Sequence, residues 1–138
     1  MSAPDITQRL ANTGQLLVRS GTEISRILDS IREDGDTMTA NLQKDMLFLS
    51  RLLFIEPVKS YMLLAYSDHK PANAAVLKAP SVTFRCNHRG AQFAFAAAHP
   101  EQTKHAGEPC IQSGLPTTML AMNQRRANHR VQVPAQAP

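Results

Sequence analysis

Between Ser81 and Ala97 the chain carries two runs in which apolar and polar residues alternate, and this pattern restricts the fold more than any other feature. Val82, Phe84 and Cys86 alternate with Ser81, Thr83 and Arg85; after Asn87-His88-Arg89-Gly90 the alternation resumes at Ala91, Phe93, Phe95 and Ala97. Successive side chains of an extended strand point to opposite faces, so a period of two buries one face and leaves the other wet. Two such runs around a turn-forming tetrapeptide predict an antiparallel hairpin with its turn at residues 87–90. The same period recurs where Met38, Ala40 and Leu42 alternate with Thr37, Thr39 and Asn41, with Gln43-Lys44-Asp45 as the following turn. Leu47 to Ile55 is apolar on both sides apart from Ser50 and Arg51, which predicts one central or bent barrel strand ended by Pro57. Tyr61 to Tyr66 reads as a further strand, Asn73 to Lys78 as a short helical or irregular segment closed by Pro80, and Pro109 to Ser113 as a weaker strand. Leu115-Pro116 then opens an exit segment through Met119 and Met122.

One segment ahead of the strands has a different period. Ile24, Ile27, Leu28 and Ile31 follow the 3, 4, 7 spacing of a helical stripe, with Thr22 or Ser20 as the cap and Gly35 as a left-handed stop. Glu23, Arg26, Asp29, Arg32, Glu33 and Asp34 fill the remaining positions and are expected to form its solvated face. Residues 1–20, interrupted by Asn12-Thr13-Gly14, show no single apolar face and read as a flexible N-terminal arm. Five or six short strands after one amphipathic helix, without strand-helix repetition, predict a mainly β fold built as a small antiparallel barrel. The expected division is an arm at 1–20, the helix and barrel at 21–122, and a linker at 123–138.

With 138 residues, 43% of them hydrophobic, the chain supports one domain with a modest core. It has no apolar run of about 18 residues and no basic-then-apolar leader, so membrane insertion is not expected and a cytoplasmic location is. Cys86 and Cys110 lack CxxC spacing, which suits reduced, buried thiols better than a disulfide, although spacing leaves a bridge open. His99, His105 and Cys110 match no standard zinc spacing, and no metal is expected. The histidines are read as surface groups, with His88 beside Arg89 serving the turn. The chain lacks a G-x-S-x-G frame and a phosphate-cradling glycine loop, and its few aromatic residues fall mostly on one face, as core packing requires. Nothing in this inventory marks an enzyme.

The charge balance points elsewhere. Residues 1–108 hold 12 basic and 11 acidic groups, whereas Arg125, Arg126 and Arg130 are the only formal charges after Glu108, so +3 of the net +4 lies there. A guanidinium forks two donors toward phosphate oxygens or the O6/N7 edge of guanine, so close-set arginines suit a guanine nucleotide. Residues four apart share a side in helix and strand alike, so Arg126 and Arg130 can converge on one ligand while Arg125 points away. The competing reading is a solvated basic tail. A nucleic-acid role is the weakest alternative, because only three clustered charges and no neighbouring aromatics would support it.

The order of helix, barrel strands, hairpin, Leu115-Pro116, Gln124-Arg125-Arg126 and Arg130-Val131 resembles the N-terminal half of YcgR-type flagellar brake proteins, from about Ile24 to Val131. Asn73 to Lys78, Val82-Thr83-Phe84, Gly90 and Gln92-Phe93 support the resemblance. It implies a mainly β fold, a small antiparallel split β-barrel preceded by one amphipathic helix. It also implies a signalling role without catalysis or cofactor. Arg126 and Arg130 match the RxxxR motif of that family and Arg125 the basic residue before it, which makes these three the implied ligands of cyclic di-GMP. Inside the motif Ala127, Asn128 and His129 stand where the family often carries aromatics. The other half of the family's site, an Asp/Asn-x-Ser-x-x-Gly segment on a following PilZ domain, is not among these residues. The partners implied are cyclic di-GMP, a PilZ domain and flagellar motor proteins, with the basal body as the place of action. A flavin-binding split-barrel oxidoreductase is the alternative, resting on fold analogy alone.

Overall fold

The computed structural model describes residues 14–123. Nine strands and two helices follow in the order β1 (Gln15–Val18), α1 (Gly21–Asp34), β2 (Met38–Leu42), β3 (Met46–Ser50), β4 (Leu52–Glu56), β5 (Tyr61–Leu64), α2 (Lys70–Lys78), β6 (Ser81–His88), β7 (Ala91–His105), β8 (Glu108–Gly114) and β9 (Met119–Asn123). All strand pairings are antiparallel, along the path β3-β2-β6-β7-β8-β5-β4, with β9 pairing both β7 and β1. The fold is thus mainly β, as expected, and consistent with a split barrel. Its two terminal strands, β3 and β4, share no ladder yet are joined through the single residue Arg51.

Helix α1 forms for the reasons its sequence gives. Ser20 is the cap, extended at φ −73° and accepting the Glu23 N–H on its Oγ at 3.3 Å. Gly35, at φ 70°, reverses the chain while its N–H and that of Asp36 donate to the carbonyls of Arg32 and Ile31. The stripe of Ile24, Ile27, Leu28 and Ile31 is buried, and α1 packs on β4. Helix α2 is held at its start by Asn73, whose amide exchanges two 2.9 Å hydrogen bonds with the backbone of Ser67; it buries Ala72 and Val76. Phe48, Phe84 and Phe95 meet in the core at ring separations of 6.0 Å.

Several expectations change: among the described residues there are nine strands and two helices where five or six strands and one helix were expected, and the exit segment through Met119 and Met122 is strand β9. Gln15–Val18, assigned to the arm, is strand β1, paired with β9 through Val18, which is 1% exposed. The single strand expected over Leu47–Ile55 is two strands at opposite ends of the path, because inward positions run on even numbers through Phe48, Ser50 and Leu52 and then switch to Ile55 across a bulge. The turn expected over residues 87–90 is tighter: Asn87 and His88 still pair with Gln92 and Ala91, leaving Arg89 (φ 50°) and Gly90 (φ 83°) as a two-residue turn. Strand β7 continues past Ala97 to His105, bending at a register shift near His99, and turns at Ala106-Gly107 into β8.

Candidate functional site

Strand β9 delivers the chain to one end of the sheet. Asn123 lies in register with Ala91, the residue after the Arg89-Gly90 turn, and its N–H donates to the Gly14 carbonyl at 2.9 Å. Arg125, Arg126 and Arg130 lie outside the described residues, as does His129; the structure supplies the position from which that segment starts.

A polar cluster occupies the adjoining hairpin tip. His88 continues the inward alternation of Val82, Phe84 and Cys86 and is 6% exposed. Its Nε2 is 2.9 Å from the Ser30 hydroxyl and its Nδ1 is 2.5 Å from an Asp36 carboxylate oxygen, with Asp34 at 3.4 Å. Both ring nitrogens are therefore used to pin β6 to the C-terminal end of α1. Beside it, the Arg89 guanidinium donates from Nε and Nη2 to the two oxygens of Asp34 at 2.9 and 3.0 Å. That hydrogen-bonded fork holds the Asp34 carboxyl below its ordinary range, against a smaller opposing effect of desolvation. His88 is thus a buried structural bridge and not a surface turn group, and Asp34 is not merely part of a solvated helix face. The signal was present in the alternation, which assigns residue 88 to the same face as Cys86.

Asp34, Asp36 and His88 place one ligating atom each within 4.8 Å of one another, yet both His88 nitrogens already have partners. His99, His105 and Cys110 are not brought together: Cys110 is buried, His99 is exposed, and His105 stacks on Phe54 at 5.9 Å. The two cysteines are free thiols, as expected. Burial, followed by the Asp36 charge, pushes the Cys86 thiol up to about 12, and burial raises Cys110 too. Neither thiol is set up as a nucleophile. Among the described residues no helix is long and apolar enough to cross a membrane.

These features define a class: a small antiparallel β domain whose last strand ends just ahead of an arginine-bearing segment. The chain belongs to the PilZN domain family described as flagellar regulator YcgR, whose model matches residues 16–121. The fold is similar to the crystal structure of the YcgR-N domain of YcgR from Escherichia coli, with a TM-score of 0.70, 21% identity and coverage of 77% of this chain and 94% of that one. It is also similar to Escherichia coli YcgR in complex with c-di-GMP, with a TM-score of 0.73 and 22% identity over 80% of this chain and 47% of that one. MrkH, described as a c-di-GMP-dependent transcription regulatory factor, aligns with a TM-score of 0.63 and 16% identity over 83% of this chain and 44% of its own. The chain thus spans about half the length of these larger regulators. A search of curated protein sequences returns no significant match.

Proposed function

We propose that this chain is the N-terminal regulatory and interaction domain of a cyclic-di-GMP-responsive flagellar motility regulator. Arg125, Arg126 and Arg130 supply one half of the nucleotide site, and a PilZ domain supplies the other. The observation that carries this reading is the position of the family match: residues 16–121 belong to the PilZN family, and β9 ends at Asn123, directly ahead of Gln124-Arg125-Arg126. Nucleotide captured between the arginines and the PilZ barrel draws the two domains into a new relative orientation, driven by its higher affinity for that arrangement. The domain acts without catalysis, in the cytoplasm, through a surface offered to motor proteins at the flagellar base.

Half a site binds weakly on this mechanism. Each charge-assisted hydrogen bond contributes roughly 1.5–3 kcal/mol, while ordering three arginines costs up to about 2 kcal/mol apiece. Titration calorimetry with cyclic di-GMP is expected to show little or no binding by the 138-residue chain and clear binding once a PilZ domain follows it. Arg126→Ala in the longer protein should abolish that binding and the swimming response. Tight binding by the short chain, or a longer protein indifferent to Arg126→Ala, would sink the proposed division of the site.

A further inference from the structure

The outer face of the sheet is polar on β6, where Thr83, Arg85 and Asn87 are exposed between inward residues. Its neighbours β7, β9 and β1 depart from that pattern. On β7 the inward residues are Phe93, Phe95 and Ala97, which turns Ala94 and Ala96 outward; on β9 Met119 and Ala121 face inward, which turns Leu120 and Met122 outward. Leu17, 45% exposed, lies outward on β1 beside inward Val18. Register joins these side chains into one surface: Leu17 pairs with Leu120 and Leu120 with Ala94, while Met122 lies between Gln15 and Gln92. From Gln92 to Ala96 on β7, and along β9 and β1, no outward residue is charged. The apolar stripes of both helices are turned to the inner core cluster instead.

We infer that this outer face of β1, β9 and β7 is the seat of the PilZ domain joined to the chain through residues 124–138. The inference rests on the reading under Proposed function and adds to it the surface on which the following domain lies. An apolar, charge-free patch has the composition of an interface core. Its position favours a tethered partner: Leu120 and Met122 belong to the last described strand, and Asn123 leads straight into the arginine segment, so a domain attached there emerges beside this face. Its size favours one too. Three strands about 4.8 Å apart, with about 3.4 Å per residue over five residues, cover roughly 150–200 Å². A stable interface between free proteins takes about 800 Å² per partner, so a second copy is not held here by area alone. A domain on a short linker meets the face at an effective concentration of millimolar order, at which a contact too weak for free proteins is populated.

Thiol labelling tests this, because Cys86 and Cys110 are buried and give a slow background. The Ala96→Cys and Leu17→Cys variants are expected to react freely with a maleimide in the 138-residue chain. In the protein extended by a PilZ domain they should react about tenfold more slowly. Thr83→Cys, on the polar strand alongside, should react alike in both. Adding Leu17→Lys to Ala96→Cys should return the extended protein to the rate of the short chain, with an unchanged circular dichroism spectrum. Equal rates in short and extended proteins overturn the inference; if the extended protein still binds cyclic di-GMP and Arg126→Ala still abolishes that binding, the nucleotide reading survives and the docking face alone has failed. Slowed labelling without nucleotide binding supports the docking face and removes the nucleotide reading. Protection already present in the short chain and lost on deleting residues 1–13 would assign the face to the N-terminal segment, and protection that grows with protein concentration would assign it to a second copy. Either result overturns the inference.

Discussion

At the scale of single residues, the Arg89–Asp34 pair at the hairpin tip and the Cys86 thiol have opposite relations to solvent. Arg89 and Asp34 form a well-aligned fork, but Arg89 is 63% exposed, so the pair fixes geometry more than it adds stability. Cys86, 2% exposed, sits inside the core with Asp36 as a nearby negative charge, and its thiol is raised from 9.0 to about 12. The folded state therefore holds the thiol proton across a range in which the unfolded chain releases it. Stability from this group is fully present below the unfolded value near pH 9 and is lost as pH rises toward 12. The loss should amount to at most about 1.4 kcal/mol per pH unit. Urea unfolding at stepped alkaline pH should show this slope in the parent chain and a shallower one in Cys86→Ala. Equal slopes would mean that other groups control the alkaline limit.

At the scale of elements, the tightest test lies in the β6–β7 turn. Both central residues have positive φ, the left-handed geometry that matches the twist of a two-residue hairpin and that Gly90 adopts without penalty. Open space surrounds the position a Cβ would take at Gly90, so a larger residue there is opposed by backbone strain alone. Gly90→Val is expected to destabilise the domain by about 1–2 kcal/mol, seen as a lower urea midpoint with an unchanged m-value. A neutral result would show that the turn relaxes to another form. The sequence made this hairpin legible because alternation and turn chemistry agreed, and it made α1 legible through its stripe, cap and Gly35. The break at Arg51 was hidden, since both halves of Leu47–Ile55 are apolar and only a parity switch at the bulge separates them. His88 was obscured by a turn drawn two residues too wide on its leading side. The pairing of β1 with β9 depends on contacts about a hundred residues apart, which no local pattern reports.

At the scale of the whole molecule, β1 ties the start of the described chain to its end. Between β1 and β7, β9 carries ladders on both sides, so the origin of the arginine segment is fixed by two neighbouring strands. Removing residues 1–18 leaves the helix cap Ser20 in place but strips β9 of its outer partner and takes Val18 from the core. Losing that buried side chain together with a four-residue ladder should cost about 2–4 kcal/mol, measured as the drop in unfolding free energy in urea. Under the proposed function, the same truncation in a protein extended by a PilZ domain should also weaken cyclic di-GMP binding, because a looser β9 would have to be ordered for the arginines to meet the nucleotide. The two effects separate experimentally. A truncated protein that is less stable yet binds nucleotide as before would assign β1 to stability alone. A chain with unaltered stability would show that the arm contributes nothing to the folded domain, contrary to the ladder that joins Gln15–Val18 to Met119–Met122.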